Sequence, residues 1–575
     1  MELYFTFPNW KRKAVSFSYD DARVEDRRMV ETFNKHGLKG TFNISPGRLG
    51  REGFIARTEV ASLYMGHEVA SHGYNHLHLS QLSPGDLRAE LRDGRSALED
   101  LLGHPVTGFA SPYGDHTAYS MEAMREAGFA YARPVAATRS TKIPSDPLFW
   151  QASTHHDKDS VALAESFLAN SGWGGTLNFL NIWGHSYEFE RNGNWDLLDE
   201  LCQLLAGRDE IWYCTNLEMR EYMRATQAVK ITLDGRVVEN TAAFPLYANW
   251  GESHGTIDTV KVVLPPGKRI DLAAATAGVA DGGTPIWTGA TKVPGHFELA
   301  YPGWKRKALT FSYDDAPPGD RRLVEILNRH GMKGTFNINT HNRPETVPSD
   351  ASRDADGRLL ISVAKDEWKS LYLAGGHEIA LHGARHETFG SVPWPVVMED
   401  MYRNKEVIEA ELHAPVRGFA YPCGASSKTP EGDTILRALD VSYGRVTQPA
   451  ERRFTLPADF LDWHPTAHHN AGIDAVGRDF LAAQAADEPL LCYIWGHSFE
   501  FDNAGNWDVL ENFCALMEGH AEIWYATNIE IFDYVTAARQ LVWSLKGDSV
   551  ANPTATAIYG FLDGKPIEIA PSSAK

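Results

Sequence analysis

Residues 10–22 read WKRKAVSFSYDDA, and residues 304–316 read WKRKALTFSYDDA. Each stretch is an apolar, β-prone run that ends in two adjacent aspartates, Asp20-Asp21 and Asp314-Asp315. The run predicts a buried strand, and the two like charges at its end are either a turn or helix N-cap or a place where a cation neutralises one of them. The repetition extends outward. HGLKGTFNI (36–44) returns as HGMKGTFNI (330–338), GHEVASHGYNH (66–76) as GHEIALHGARH (376–386), NIWGHSYEFE (181–190) as YIWGHSFEFD (493–502), and EIWYCTNLE (210–218) as EIWYATNIE (522–530). The offset grows from 294 residues (Asp20 to Asp314) to 310 (His72 to His382) and 312 (His185 to His497). Most of that growth is one polar insertion, residues 339–360, whose Asp, Arg and Pro content predicts a surface loop. The chain is a tandem repeat.

Inside a copy, short apolar strands alternate with amphipathic helices. AVSFSY precedes a helix near RRMVETFNKHG, whose Gly37 suits a helix C-terminus; strand KGTFNI, strand HEVASH, the long helix DLRAELRDGRSALEDLLG, and GFASPY, FAYAR, LNFLNIW and EIWYCT follow in the same rhythm. Seven or eight such units predict an α/β fold, a parallel (β/α) barrel with its chemistry at the strand ends. The expected division is residues 1–226 for the first barrel and 295–538 for the second. Between them lie a small β module at 227–272, with Asp-Gly between strand-like runs, and a Gly/Ala/Thr-rich linker at 273–294; a short C-terminal β segment spans 539–575.

At 575 residues the chain is too long for one core. No apolar run reaches the roughly 20 residues of a membrane span, so a membrane partner is not expected. The net charge of −20 argues against nucleic acid, which requires clustered Lys and Arg. Five cysteines without close spacing suggest neither a disulfide framework nor a thiolate metal site. With no signal peptide visible, a cytoplasmic location is the expectation, or a secreted one for a truncated chain.

The paired aspartates combine with His72 and His76, four residues apart, and with His382 and His386 in the second copy. Two neutral imidazoles and one carboxylate make a three-ligand site with an open position. The second carboxylate is then free to take a proton from bound water, whose pKa a metal lowers to about 7. His185 and His497 each follow a strand; either is a candidate proton donor or a buried structural histidine. GFASPYGD and GFAYPCGA offer a turn whose backbone N–H could face an oxyanion, or a plain turn. Most of the repeated tryptophans are expected in the core, with one at a strand end able to stack on a sugar. The pairs His155-His156 and His468-His469 suggest no role of their own.

Together these motifs resemble the polysaccharide deacetylase family, the NodB homology domain of carbohydrate esterase family 4, in two tandem copies. The resemblance implies a distorted, seven-stranded barrel. It implies Asp20 and Asp314 as catalytic bases, His185 and His497 as acids, and metal ligands Asp21, His72 and His76 in the first copy and Asp315, His382 and His386 in the second. It places the backbone N–H of Tyr113 and of Cys423 at the oxyanion and Trp150 and Trp463 in the acetyl pocket. Departures from the family pattern are visible. Ala22 and Ala316 stand where glycine is usual, and glycine follows the first ligand histidine. Ala110 and Ala420 replace an arginine that supports the base, with Arg133 and Arg445 as the expected substitutes. The fourth motif reads DPLFW against DFLDW, so Asp462 could tune His497 while Phe149 could not tune His185. The implied cofactor is one divalent metal per copy, zinc first, with Co, Ni, Mn or Fe compatible. The implied substrate is an acetylated oligo- or polysaccharide. Other readings are a carbohydrate-binding barrel without catalysis, a hydrolase of another small amide such as a deformylase or imidase, and a non-haem iron oxygenase.

Overall fold

The computed structural model describes residues 2–170, 176–251, 260–274, 290–340, 362–451 and 453–572. Most of the expected surface-loop insertion and most of the expected linker lie outside these residues. In each copy seven parallel strands form one continuous path. In the first copy the order across the sheet is Tyr131–Arg133, Gly108–Ala110, Glu68–Ser71, Gly40–Ile44, Lys13–Asp20, Asn178–His185 and Thr154–His155. An eighth, Ile211–Tyr213, pairs with the beginning of Lys13–Asp20. The second copy repeats this order from Tyr443–Arg445 to Ala467–His468. The two edges are joined by a single short stretch: Trp150 donates its N–H to Ala132 O (2.8 Å) and Ser153 donates to Asn181 O (2.8 Å). The result is the expected distorted barrel.

The strand Lys13–Asp20 is buried along nearly its whole length because both faces are covered, as in parallel sheets flanked by helices. Its Phe17 meets Phe33 of helix Asp26–His36 at 4.7 Å between ring centroids. That helix buries Met29, Val30 and Phe33 at helical spacing and stops at Gly37, which takes φ 64°. Register then sets the chemistry. Asp20 lies opposite Asn43 on one side and His185 on the other, and Asp314 lies opposite Asn337.

The β modules draw on both ends of each copy. The strand Glu2–Thr6 pairs antiparallel with Leu246–Gly251, and Phe297–Ala300 pairs with Ile558–Leu562. At the end of the linker, Thr291–Lys292 pairs with Ser549–Ala551. Each module also rests on the other copy's barrel. Leu233 donates its N–H to Glu409 Oε2, and Leu545 donates to Glu99 Oε2, both at 2.7 Å. The modules meet where Ala243 N–H reaches Pro553 O (3.2 Å) and Ala555 N–H reaches Thr241 O (3.1 Å). No described helix is long and apolar enough to cross a membrane.

Candidate active site

Asp20 closes its strand fully buried, and its carboxylate is held from two directions. Asn43 Nδ2 donates to Oδ1 (2.8 Å), and Arg133 Nη2 donates to both oxygens (2.6 Å to Oδ2). Arg133 belongs to the edge strand, four strands away, and reaches Asp20 because the sheet curves into a barrel. It also donates through Nε to Ser18 Oγ (3.0 Å) and through Nη1 to Pro134 O (3.2 Å), and its guanidinium lies 4.7 Å over the ring of Trp183. Asp314 receives Asn337 Nδ2 (2.8 Å) and Arg445 Nη2. Burial raises both aspartates' pKa, but Arg133 with His72 and His185, and Arg445 with His382 and His497, outweigh it and bring each to about 2. Asp20 and Asp314 are therefore carboxylates at neutral pH. The structure pairs Arg133 with Asp20 and Arg445 with Asp314.

The next residue turns away. Asp21 (φ 84°) and Ala22 (φ 53°), like Asp315 (φ 73°) and Ala316 (φ 48°), lie in the left-handed region. Two such residues in succession point the second carboxylate off the sheet, and they give a conformational reason for glycine at the alanine position. His72 follows the strand Glu68–Ser71, while His76 takes φ 64° and His386 φ 59° in a turn that is not helical. The i, i+4 pair thus converges through a loop rather than on a helix face. Glycine after the first histidine is required there. Gly73 has φ +72° and a Cβ would lie 2.7 Å from Glu90 Oε1, which accepts Asn75 N–H (2.7 Å); Gly383 has φ +73° and would meet Asp400 Oδ2 at 2.6 Å.

Asp21 Oδ1 lies 3.3 Å from His76 Nε2 and 4.0 Å from His72 Nε2. Asp315 Oδ1 lies 3.6 Å from His382 Nε2 and 3.9 Å from His386 Nε2. His72 Nδ1 bonds Ala110 O (2.7 Å) and His382 Nδ1 bonds Ala420 O (2.8 Å), which fixes the hydrogen on Nδ1 and turns the Nε2 lone pair inward. Asp21 Oδ1 and His382 Nε2 are buried without a hydrogen-bond partner, as ligand atoms facing a cation would be. Burial lowers the pKa of His72 and of His76 to about 4, and that of His382 also falls. Neutral imidazoles and an ionised carboxylate are the forms a divalent metal binds, so the residues present fit one.

His185 ends the neighbouring strand. In the second copy His497 Nε2 lies 3.8 Å from Asp314 Oδ2 and 3.9 Å from Asp315 Oδ2. The other ring nitrogen faces a glutamate: His185 Nδ1 to Glu188 Oε2 is 3.2 Å and His497 Nδ1 to Glu500 Oε1 is 3.5 Å. Burial lowers the pKa of both histidines, but the glutamate and the site aspartates outweigh it and the net shift is upward. Asp462 does not serve His497. Its carboxylate, half exposed, turns to His464 (3.5 Å). The expected inequality between the two acids, drawn from Asp462 and Phe149, is thereby removed.

Trp150 and Trp463 depart from expectation as well. They are 2% and 1% exposed and pack in the core, Trp150 against Tyr131 and Phe179, and Trp463 against Tyr443 and Phe460. Tyr113 (φ 55°) and Cys423 (φ 59°) share a left-handed backbone, and the Tyr113 ring stands edge-on to His76 (4.5 Å) and stacks on His78 (3.7 Å). Three contributors went unanticipated in the sequence, namely the glutamates, the strand asparagines, and Arg48, whose Nη1 lies 3.6 Å from Asp21 Oδ1. The glutamates stand in plain view, three residues after a repeated histidine.

Among known families, that described as polysaccharide deacetylase matches residues 8–132 and 303–443. No curated protein matches the chain. Solved structures with similarity include a polysaccharide deacetylase from Mycobacterium smegmatis, described as putative (18% identity, 39% of this chain and 94% of that one, TM-score 0.31). A family 4 carbohydrate esterase from Streptomyces lividans in complex with acetate is also similar (18%, 35% and 91%, 0.26). So is the deacetylase PplD of Streptococcus pyogenes in complex with acetate (18%, 21% and 55%, 0.21), of which the chain spans about half the length. The polysaccharide deacetylase family thus matches the chain once in each barrel, over the strands that carry both aspartate pairs and the four histidines beside them, as two tandem copies.

Proposed function

We propose that each copy removes acetyl groups, N- or O-linked, from a carbohydrate. The observation that carries this reading is the convergence, at one barrel end and in both copies, of an arginine-held carboxylate and a carboxylate with two inward-facing imidazoles, joined in the second copy by a histidine whose ring sits beside both carboxylates. Asp21, His72 and His76, and their counterparts Asp315, His382 and His386, would hold a divalent cation, zinc by donor type. That cation would supply Lewis acidity toward a water and the acetyl carbonyl. Asp20 or Asp314 takes the proton from water as it adds to the carbonyl carbon. His185 or His497 gives its Nε2 proton to the departing nitrogen or oxygen as the bond to the acetyl carbon breaks. Arg133 and Arg445 hold each base ionised and oriented. The products are acetate and a free amine or hydroxyl.

The test is metal content together with acetate release from N-acetylchitooligosaccharides and O-acetylated xylan. Wild-type protein is expected to carry two equivalents of metal, and His72→Ala and His382→Ala to lose one each. An Asp20→Asn/Asp314→Asn double variant is expected to keep both metals and to lose about 10²-fold or more of acetate release. Absence of metal binding after reloading, or full activity in the double aspartate variant, would remove the mechanism. Turnover of a formamide or a cyclic imide with no acetate released would move the reading to another small amide.

A further inference from the structure

The two histidine pairs without an assigned role meet the glutamates behind the proton donors. His155 Nε2 lies 3.1 Å from Glu188 Oε2, and His468 Nε2 lies 3.1 Å from Glu500 Oε2. His156 Nε2 (3.5 Å) and His469 Nε2 (2.9 Å) reach the same carboxylates; for His155 and His468 the tautomer opposes metal ligation through Nε2. His155 Nδ1 accepts the backbone N–H of Asp157 (3.2 Å), and His468 Nδ1 accepts that of Asn470 (3.1 Å). A neutral imidazole that accepts at Nδ1 carries its hydrogen on Nε2, so both histidines present a donor and no lone pair to the carboxylate. The carboxylate is tied down a second time by the backbone N–H of the proton donor itself, His185 N to Glu188 Oε2 (3.1 Å) and His497 N to Glu500 Oε2 (3.4 Å). Among the described residues no other carboxylate lies within ion-pair distance of His185 Nδ1 or His497 Nδ1.

We infer that Glu188 and Glu500 are positioning residues for the proton donors. In this structure Nδ1 of His185 and of His497 makes no hydrogen bond and has the glutamate as its neighbouring carboxylate; a glutamate that takes the Nδ1 hydrogen leaves Nε2 as the nitrogen that exchanges a proton with the reacting groups, and His155 or His468 clamps the glutamate from behind. This rests on the reading of His185 and His497 as acids. It gives the job expected of Asp462 to a residue present in both copies. The competing arrangement is a capping contact in which Nδ1 accepts the backbone N–H of Glu188 or Glu500. That contact would put the hydrogen on Nε2 of the neutral ring.

The experiment compares wild type with Glu188→Gln/Glu500→Gln and Glu188→Ala/Glu500→Ala double variants in the full chain. Long-range proton–nitrogen NMR of labelled histidines reads the tautomers, with His185→Asn and His497→Asn used for assignment. Neutral rings with Nδ1–H are expected in wild type, shifting toward Nε2–H in the alanine variant. In acetate release from N-acetylchitooligosaccharides, the alanine variant is expected to lose about 10²-fold in kcat with KM within about twofold and two metals retained. The glutamine variant keeps an acceptor for the backbone N–H, and is expected to lose about tenfold. It keeps the question open to test if the alanine variant does not fold. An Nε2–H tautomer in wild type, or an unchanged kcat in the folded alanine variant of an active enzyme, would overturn the inference. If wild type releases no acetate at all, the proposed function fails, and the tautomer measurement still decides the role of the glutamates.

Discussion

The two metal-ligand sets share residue types, spacing and backbone conformation, but not their surroundings. In the first copy the side chain of His76 is 8% exposed and that of Asp21 12%; in the second, His386 is 37% exposed and Asp315 34%. Tyr113 covers His76, where the second copy has Cys423, and Arg48 stands beside Asp21. The difference separates what strand ends determine from what loops determine. The candidate ligands, bases and acids sit on or just after strands whose register is fixed by the barrel. The mouth is made of loops, which tolerate change. The second site is the more open to a bulky substrate, and the first is the drier, where charges interact more strongly.

The clamp on the base offers the largest effect. Arg133 satisfies Ser18, Pro134 and Asp20, whereas Nε and Nη1 of Arg445 have no hydrogen-bond partner. Removing one partner of a buried pair costs about 3–5 kcal/mol. Arg133→Ala is expected at the upper end of that range and Arg445→Ala at the lower, read barrel by barrel through hydrogen exchange under urea. Equal losses would break the contrast. Acid titration should show the bases alike. A folded pKa of about 2 against the ordinary 3.8 means stability that is fully present above pH 4 and lost as pH falls through 2. The loss is expected at about 2 kcal/mol per barrel and absent from the barrel carrying Asp20→Asn or Asp314→Asn. The smallest effect is at Arg48. A cation 3.6 Å from a candidate ligand carboxylate opposes a second cation by at least the ~1 kcal/mol that such a separation carries in bulk water. Arg48→Ala is thus expected to tighten metal at the first site about five- to tenfold and leave the second unchanged, measured by chelator competition. No change at the first site would mean that Arg48 is screened.

Much of this could be read from the chain alone. The repeat, the β/α rhythm and the ligand sets follow from strand-like runs ending in polar residues at matching positions. Arg133 could be matched by position because barrel closure brings strand ends together, whatever their separation in sequence. Asp462 and the two tryptophans were misplaced for one reason: a motif gives the position of a residue but not the direction of its side chain, and here a short turn sends the carboxylate to His464 and the indoles to the core. The glutamates were missed because their reach depends on a helix beginning at Ser186 and Ser498, which folds the third residue back onto the histidine before it.

The contacts between modules read the same in both directions: Ala243 to Pro553 is answered by Ala555 to Thr241, and Leu233 to Glu409 by Leu545 to Glu99. That is the signature of an isologous interface, the way two identical subunits meet about a twofold axis. This chain therefore holds within one polypeptide the geometry of a symmetric dimer. Covalent joining replaces association at cellular concentration with a permanently high local concentration. It also releases the halves from identity. In a true homodimer every substitution at one mouth appears at the other. Here Tyr113 and Cys423, or Phe149 and Asp462, differ while the pairing of the halves persists, so one molecule can present two differently shaped openings to the same kind of substrate chain.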